Sequence, residues 1–198
     1  MDFTITIKGN LLEYIEDLHQ YLVNGIEVPS VTQLLKLKFG RKYEGVSESV
    51  LERAAEKGTK THEEIEAWCV AGIESDSEEL RNFKFLMKQY RLEPIENEVP
   101  VILFDGDEPI AAGRLDLVLS GPDGLTGGDI KRTAVLDKEY LAYQLNIYRR
   151  AYYQSYDAEW KALVGIHLRE EKRKLVRLPI RDELVDEIIE LYKKGNEA

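Results

Sequence analysis

Three residues in one short stretch have types and spacing that could do chemistry. In "GRLDLVLSGPDGLTGGDIKRT", residues 113 to 133, Asp116 interrupts one apolar run, and Asp129 and Lys131 interrupt the next. Both runs otherwise read as buried strands. If the turn at "SGPDG" is symmetric about the Pro122–Asp123 bond, 120 faces 125 and 116 faces 129, whether the loop has two residues or four. Directly opposed residues of an antiparallel pair share a face, with Cβ atoms ~5 Å apart. Lys131 lies two residues beyond Asp129 and projects from that same face. Two carboxylates so close repel unless a proton or a cation lies between them. Together with the main-chain carbonyl of Ile130 and water they make the kind of oxygen donor set that Mg²⁺ takes, and the lysine could position a water or a phosphate oxygen beside it. From the hairpin alone, a solvated face on which Lys131 offsets two acids explains the pattern equally well.

The elements around the hairpin must hold these residues in place. The segment "HQYLVNGIEVPSV" carries an Asn24-Gly25 turn signal and predicts a small N-terminal hairpin over about 19–30. Ser30 or Thr32 caps a short helix that stops at Gly40. Helical periodicity runs from Ser47 to Gly72 with a break or kink expected at Gly58-Thr59, and again from Ser77 to Tyr90. Three strands follow within residues 97 to 133, then a helix from Asp137 to Tyr156, strands "WKALVGIHL" and "KLVRLPI", and a final helix from Asp182. A central meander with flanking helices predicts an α/β or α+β chain in one domain, residues 1–198.

Composition narrows the classes. With 43% hydrophobic residues in 198, the chain can bury a sizeable core. One cysteine, Cys69, excludes an internal disulfide framework and any four-cysteine cluster, and suits a reducing compartment. The start has no signal-peptide pattern and no segment approaches the ~20 apolar residues of a membrane span, so a cytoplasmic location is expected. A net charge of −10 disfavours nonspecific nucleic-acid binding, although one cleft can still carry cations. Such cations occur in "KLKFGRK" at 36–42, in Lys131-Arg132 and in Arg149-Arg150, the last two pairs being expected near the acids. The run "REEKRKLVR" at 169–177 reads better as a hairpin turn.

The hairpin pattern resembles the core of the PD-(D/E)XK nuclease superfamily, in which an Asp on one strand precedes an acid-x-Lys on the next. Two further segments sharpen the likeness. Upstream, "GTKTHEEIE" is similar to the Gly-Thr-x-x-His-x-x-x-Glu helix of the RecB-like branch, here His62 and Glu66. Downstream, "YLAYQLNIYRRAYY" is similar to its Gln-x-x-x-Tyr motif, here Gln144 and Tyr148, with Tyr140 one turn earlier. The opening "VPSVTQLL" resembles that of phage-type exonucleases in the branch. The likeness covers most of residues 28 to 150.

The resemblance implies a restriction-endonuclease-like core: a central mixed β-sheet with an antiparallel catalytic hairpin, flanked by helices. It implies one or two Mg²⁺ or Mn²⁺ ions held by His62, Asp116, Asp129 and the Ile130 carbonyl, with Lys131 assisting catalysis. Glu98, in "NEVPV", matches an acid that relatives often place near the metals, and Gln144 would make a polar contact to DNA or to the active-site strand. Tyr148, Arg132, Lys38 and Arg41 are candidate DNA contacts. His19 and His167 have no such setting and read as structural or surface residues. The iron–sulfur subgroup is excluded, and with no phosphate-loop motif ending in Gly-Lys-Ser or Gly-Lys-Thr, neither is an ATP site expected.

The function expected is a metal-dependent DNA exonuclease of recombination, repair or phage-type DNA processing. An endonuclease or flap nuclease with the same site, a noncatalytic nucleic-acid-binding subunit and a metal-stabilised structural domain are the alternatives. A single-strand annealing protein is a partner by family analogy alone.

Overall fold

The computed structural model describes residues 2–40 and 48–196. The chain is α/β, with one antiparallel and one mixed sheet flanked by helices. Strands β1 (Phe3–Ile7), β2 (Asn10–Ile15), β3 (Gln20–Val23) and β4 (Ile26–Val28) make an antiparallel sheet in sequence order. The expected hairpin is thus half of a larger unit. Its turn is as expected, with Asn24 and Gly25 both at positive φ. The preceding hairpin turns at Lys8-Gly9, which lacks that composition but takes the same left-handed backbone.

Helix α1 (Val31–Phe39) starts at a capping box in which Ser30 accepts from the Gln33 N–H and Gln33 accepts from the Ser30 N–H, and it ends at Gly40 at positive φ. Helix α2 (Glu48–Ala71) runs through Gly58 without the break that is one of the two outcomes expected there. A glycine inside a helix costs only ~1 kcal/mol, and the apolar stripe of Ile65 and Trp68 outweighs it by packing on the sheet. Helix α3 (Glu78–Tyr90) is capped by Ser77.

The main sheet comprises β5 (Glu93–Asp105), β6 (Glu108–Gly121), β7 (Gly124–Lys131), β8 (Ala162–Arg169) and β9 (Lys172–Leu178), in that order. Neighbours are antiparallel except β7 and β8, which are parallel and joined through α4 (Lys138–Tyr156). The last helix is α5 (Asp182–Asn196). Strand β8 shows how the layers divide. Leu163 joins a core with α1, α4 and α5, whereas Val164 and Ile166 join a core with α2 and α3. The N-terminal sheet packs its inward face on Ile102, Phe104 and Ala112 of β5 and β6.

Two close approaches fix the sheet near the acids. Gly127 lies under the Trp160 ring, where an added Cβ would come within 2.0 Å of ring carbons. Gly127→Ala is therefore expected to destabilise by about 3 kcal/mol, the upper end for overpacking, in a urea melt. Strand β5 is an edge, and α4 covers it. Gln154 both accepts from the Phe104 N–H and donates to its carbonyl, and the Ser155 hydroxyl accepts from the Ile102 N–H. Among the described residues, no helix is long and apolar enough to cross a membrane.

Candidate metal centre

The β6–β7 register is the expected one. Ser120 pairs with Leu125 and Leu117 with Gly128 around a two-residue turn, so Asp116 stands opposite Asp129 where the ladder ends. The Asp116 Oδ2 accepts from the Ile130 N–H at 2.7 Å, which ties one acid to the other strand's backbone. Helix α2 brings His62 over this point, with its Nε2 3.2 Å from the Ile130 carbonyl. That contact requires a proton on Nε2 and turns Nδ1 toward Glu98 Oε1 and Asp116 Oδ2, each 3.8 Å away. Donor atoms of His62, Glu98 and Asp116 all lie within 4.8 Å of one another.

The close group differs from the expected ligand set in its acids, with Glu98 beside Asp116 and Asp129 apart. Asp129, 2% exposed, gives its Oδ2 to an ion pair with Lys131 Nζ at 2.5 Å and is not part of the close group. Glu98 holds the place beside His62 instead. Its backbone pays for this with φ +48° in mid-strand, a left-handed conformation that costs a non-glycine residue ~1–2 kcal/mol. Arg114 Nε at 2.7 Å holds its other carboxylate oxygen. Glu98→Gly is accordingly expected to be about 1 kcal/mol more stable than Glu98→Ala, because only glycine removes the strain, while both lose metal affinity; denaturation and metal titration of the pair would show it.

The site's electrostatics follow from crowding. Burial alone would depress His62, but Asp116, Glu98 and Asp129 outweigh it and push its pKa up to about 9. Burial raises the Asp129 carboxyl above the ordinary carboxylate range against the pull of Lys131, and Asp116 adds to the rise. Burial would likewise favour neutral Lys131, yet Asp129 and Asp116 more than offset it and hold the ammonium. Two carboxylates and the imidazole Nδ1 make a donor set that suits Mg²⁺ or Mn²⁺, while the Ile130 carbonyl, expected as a ligand, is engaged by His62 Nε2 instead.

The triad opens into a cleft of about 460 Å³ whose walls include Tyr14, His19, Tyr21, Lys36, Arg114 and Tyr148. No family model matches the chain, and no curated protein does. A solved structure described as "Crystal structure of SSO0001" is similar at 16% identity and a TM-score of 0.41, over 83% of this chain and 75% of that one.

The remaining candidates divide. Tyr148 lines the cleft, its ring filling the space that Gly113 leaves open. Gln144 is buried on α4 and lies outside the cleft lining, and its Oε1 has no hydrogen-bond partner among the described residues. Glu66 is exposed one turn beyond His62 and outside the close group. Lys38 pairs with Glu187 of α5 and Arg132 with Glu79 of α3, so neither charge faces the cleft; Lys36 is the α1 cation that does. Arg149 and Arg150 pair with Asp182 and Asp186 at α5 rather than serving the acids. Arg41 lies outside the described residues. His167 is structural, bonded to the Thr133 carbonyl at 2.7 Å, but His19 lines the cleft, which its isolated position in sequence did not signal.

Proposed function

We propose that the protein is a metal-dependent DNA nuclease with the restriction-endonuclease-like core of the PD-(D/E)XK superfamily, in a form near its RecB-like branch, acting as an exonuclease. The observation that carries this reading is convergence. His62, Glu98 and Asp116, from α2, β5 and β6, meet at one cleft, and the pair Asp129–Lys131 on β7 lies directly behind Asp116, which stands opposite Asp129. His62 through Nδ1, Glu98 and Asp116 would hold the ion, which when bound would supply Lewis acidity toward a phosphoryl oxygen and a more acidic water.

The chain's own groups do the rest. Lys131, kept charged and aimed by Asp129, neutralises charge developing on the phosphate oxygens. The His62 Nε2 proton, shared with the Ile130 carbonyl, fixes the imidazole so that Nδ1 faces the carboxylates. Arg114 orients Glu98 and offsets one of the acids around the phosphate. The cleft is walled on its far side by β2, β3 and α1, which suits a strand end better than the middle of a long duplex and favours the exonuclease form.

Linear single-stranded, linear double-stranded and closed circular DNA, each with Mg²⁺, Mn²⁺ or chelator, test the reading. Metal-dependent loss of linear DNA with circles spared is the expected result. Cutting of circles would move the assignment to an endonuclease, and inertness of pure protein with every metal would sink it.

A further inference from the structure

The cleft wall facing the carboxylates is contributed by the N-terminal sheet. Tyr14 and Tyr21 are cross-strand partners on its inward face, with ring centroids 4.7 Å apart, and the Arg114 guanidinium sits 5.8 Å from the Tyr14 ring centre. Elsewhere in the molecule, largely buried tyrosines give their hydroxyls to protein acceptors: Tyr143 to Glu187 and Tyr152 to Glu96. At the cleft they do not. Tyr21 is 8% exposed and Tyr148 6%, yet neither hydroxyl, nor that of Tyr14, bonds to any described residue.

Their rings are packed but their hydroxyls are not sealed off from the cleft, so each is free to donate there. Burial first, then Tyr14 and Glu98 against the opposing Arg114, lift Tyr21 to about 12, so it is a donor at neutral pH and pairs with acceptors. Lys36 on the same wall forms no ion pair with a described residue. Donors and cations thus face a cluster of carboxylates across one cleft. The carboxylates repel a polyanion except where a cation intervenes, and the far wall attracts it.

We propose that the N-terminal sheet is a substrate-positioning element, in which the Tyr21 hydroxyl, with Tyr14 beside it and Arg114 and Lys36 supplying charge, donates to a non-bridging oxygen of the phosphate adjacent to the one being cleaved. The inference rests on the nuclease reading and deepens it: the ligand in the cleft is a strand carrying at least two phosphates. Tyr21→Phe removes the donor and leaves the ring in its packing against the sheet.

With Mn²⁺, Tyr21→Phe is expected to raise KM for a single-stranded oligonucleotide about tenfold or more, the effect of one hydrogen bond to a charged acceptor, with little change in kcat. Turnover of bis(4-nitrophenyl) phosphate, which has no second phosphate, stays at the wild-type level. Tyr14→Phe, with a ring only half-buried, reads the same wall if Tyr21→Phe does not fold, and raises KM in the same direction. Tyr153→Phe, on an exposed face away from the cleft, is the control. An unchanged KM in both cleft variants overturns the inference and leaves the nuclease standing. Wild-type protein inert toward both substrates overturns the nuclease reading and the inference with it.

Discussion

Lys131→Met is expected to lower metal-dependent cleavage by about 10²–10³-fold, the scale set by removing one charge-stabilising donor from a water-poor site. It is also expected to lower stability by about 3 kcal/mol near pH 8, because it leaves the Asp129 carboxylate buried and unpaired. The two effects separate. Without Lys131, the folded-state pKa of Asp129 stands further above its unfolded value of ~3.9. Folding then takes up a proton at Asp129, so the variant keeps its stability below the unfolded pKa and loses it as pH rises through the folded one. The double variant Asp129→Asn/Lys131→Met carries no buried charge there and should recover most of the stability and none of the activity. Denaturation at pH 5 and 8 beside a cleavage assay checks both halves; a double variant that cleaves would remove Lys131 from the chemistry.

Metal affinity should rise about tenfold for each pH unit between 6.5 and 8.5, a change of about a hundredfold. The reason is His62. Its pKa of about 9 means that the metal-free protein carries a proton that a cation held with Glu98 and Asp116 must displace. His62→Gln would flatten that slope, and isothermal titration in two buffers of different ionisation heat would count the proton released. The same shift acts on stability without metal. His62 holds its proton more tightly folded than unfolded, where its pKa is ~6.5, so its stabilising contribution is complete below pH 6.5 and lost as pH rises through 9. The gap in melting temperature between chelated wild type and His62→Gln should therefore close across that interval.

The residues that were legible in the sequence share a local cause. A two-residue turn at Pro122-Asp123 fixes strand parity, and parity fixes which side chains meet, so the facing of Asp116 and Asp129 could be read by counting. Ser30, Ser77 and Asp137 cap their helices as their types suggest. What was illegible depends on rotation or distance. Lys36 and Lys38 sit two residues apart on α1, and only the helix's seat on α4 and α5 decides which faces the cleft and which meets Glu187, far along the chain. Nor does any residue type announce the left-handed φ of Glu98 in mid-strand or the pairing of Asp129 with Lys131, which together accompany a close group of His62, Glu98 and Asp116. The first hairpin did carry a signal, the alternation of "FTITI", but its Lys8-Gly9 turn lacks the usual residues.

The cover that Gln154 and Ser155 lay over Ile102 and Phe104 also bears on how this sheet meets other chains. Those two side chains do for the backbone what a sixth strand would do, so the sheet cannot grow by strand addition along that stretch. Glu98 lies on the same strand, a few residues toward its start. The strand that carries an energetically strained acid is therefore shielded from the partner most able to pull it into regular pairing, a neighbouring polypeptide in extended form. Trading Gln154 for a shorter residue would open that seam, and self-association, rather than loss of chemistry, would be its first symptom.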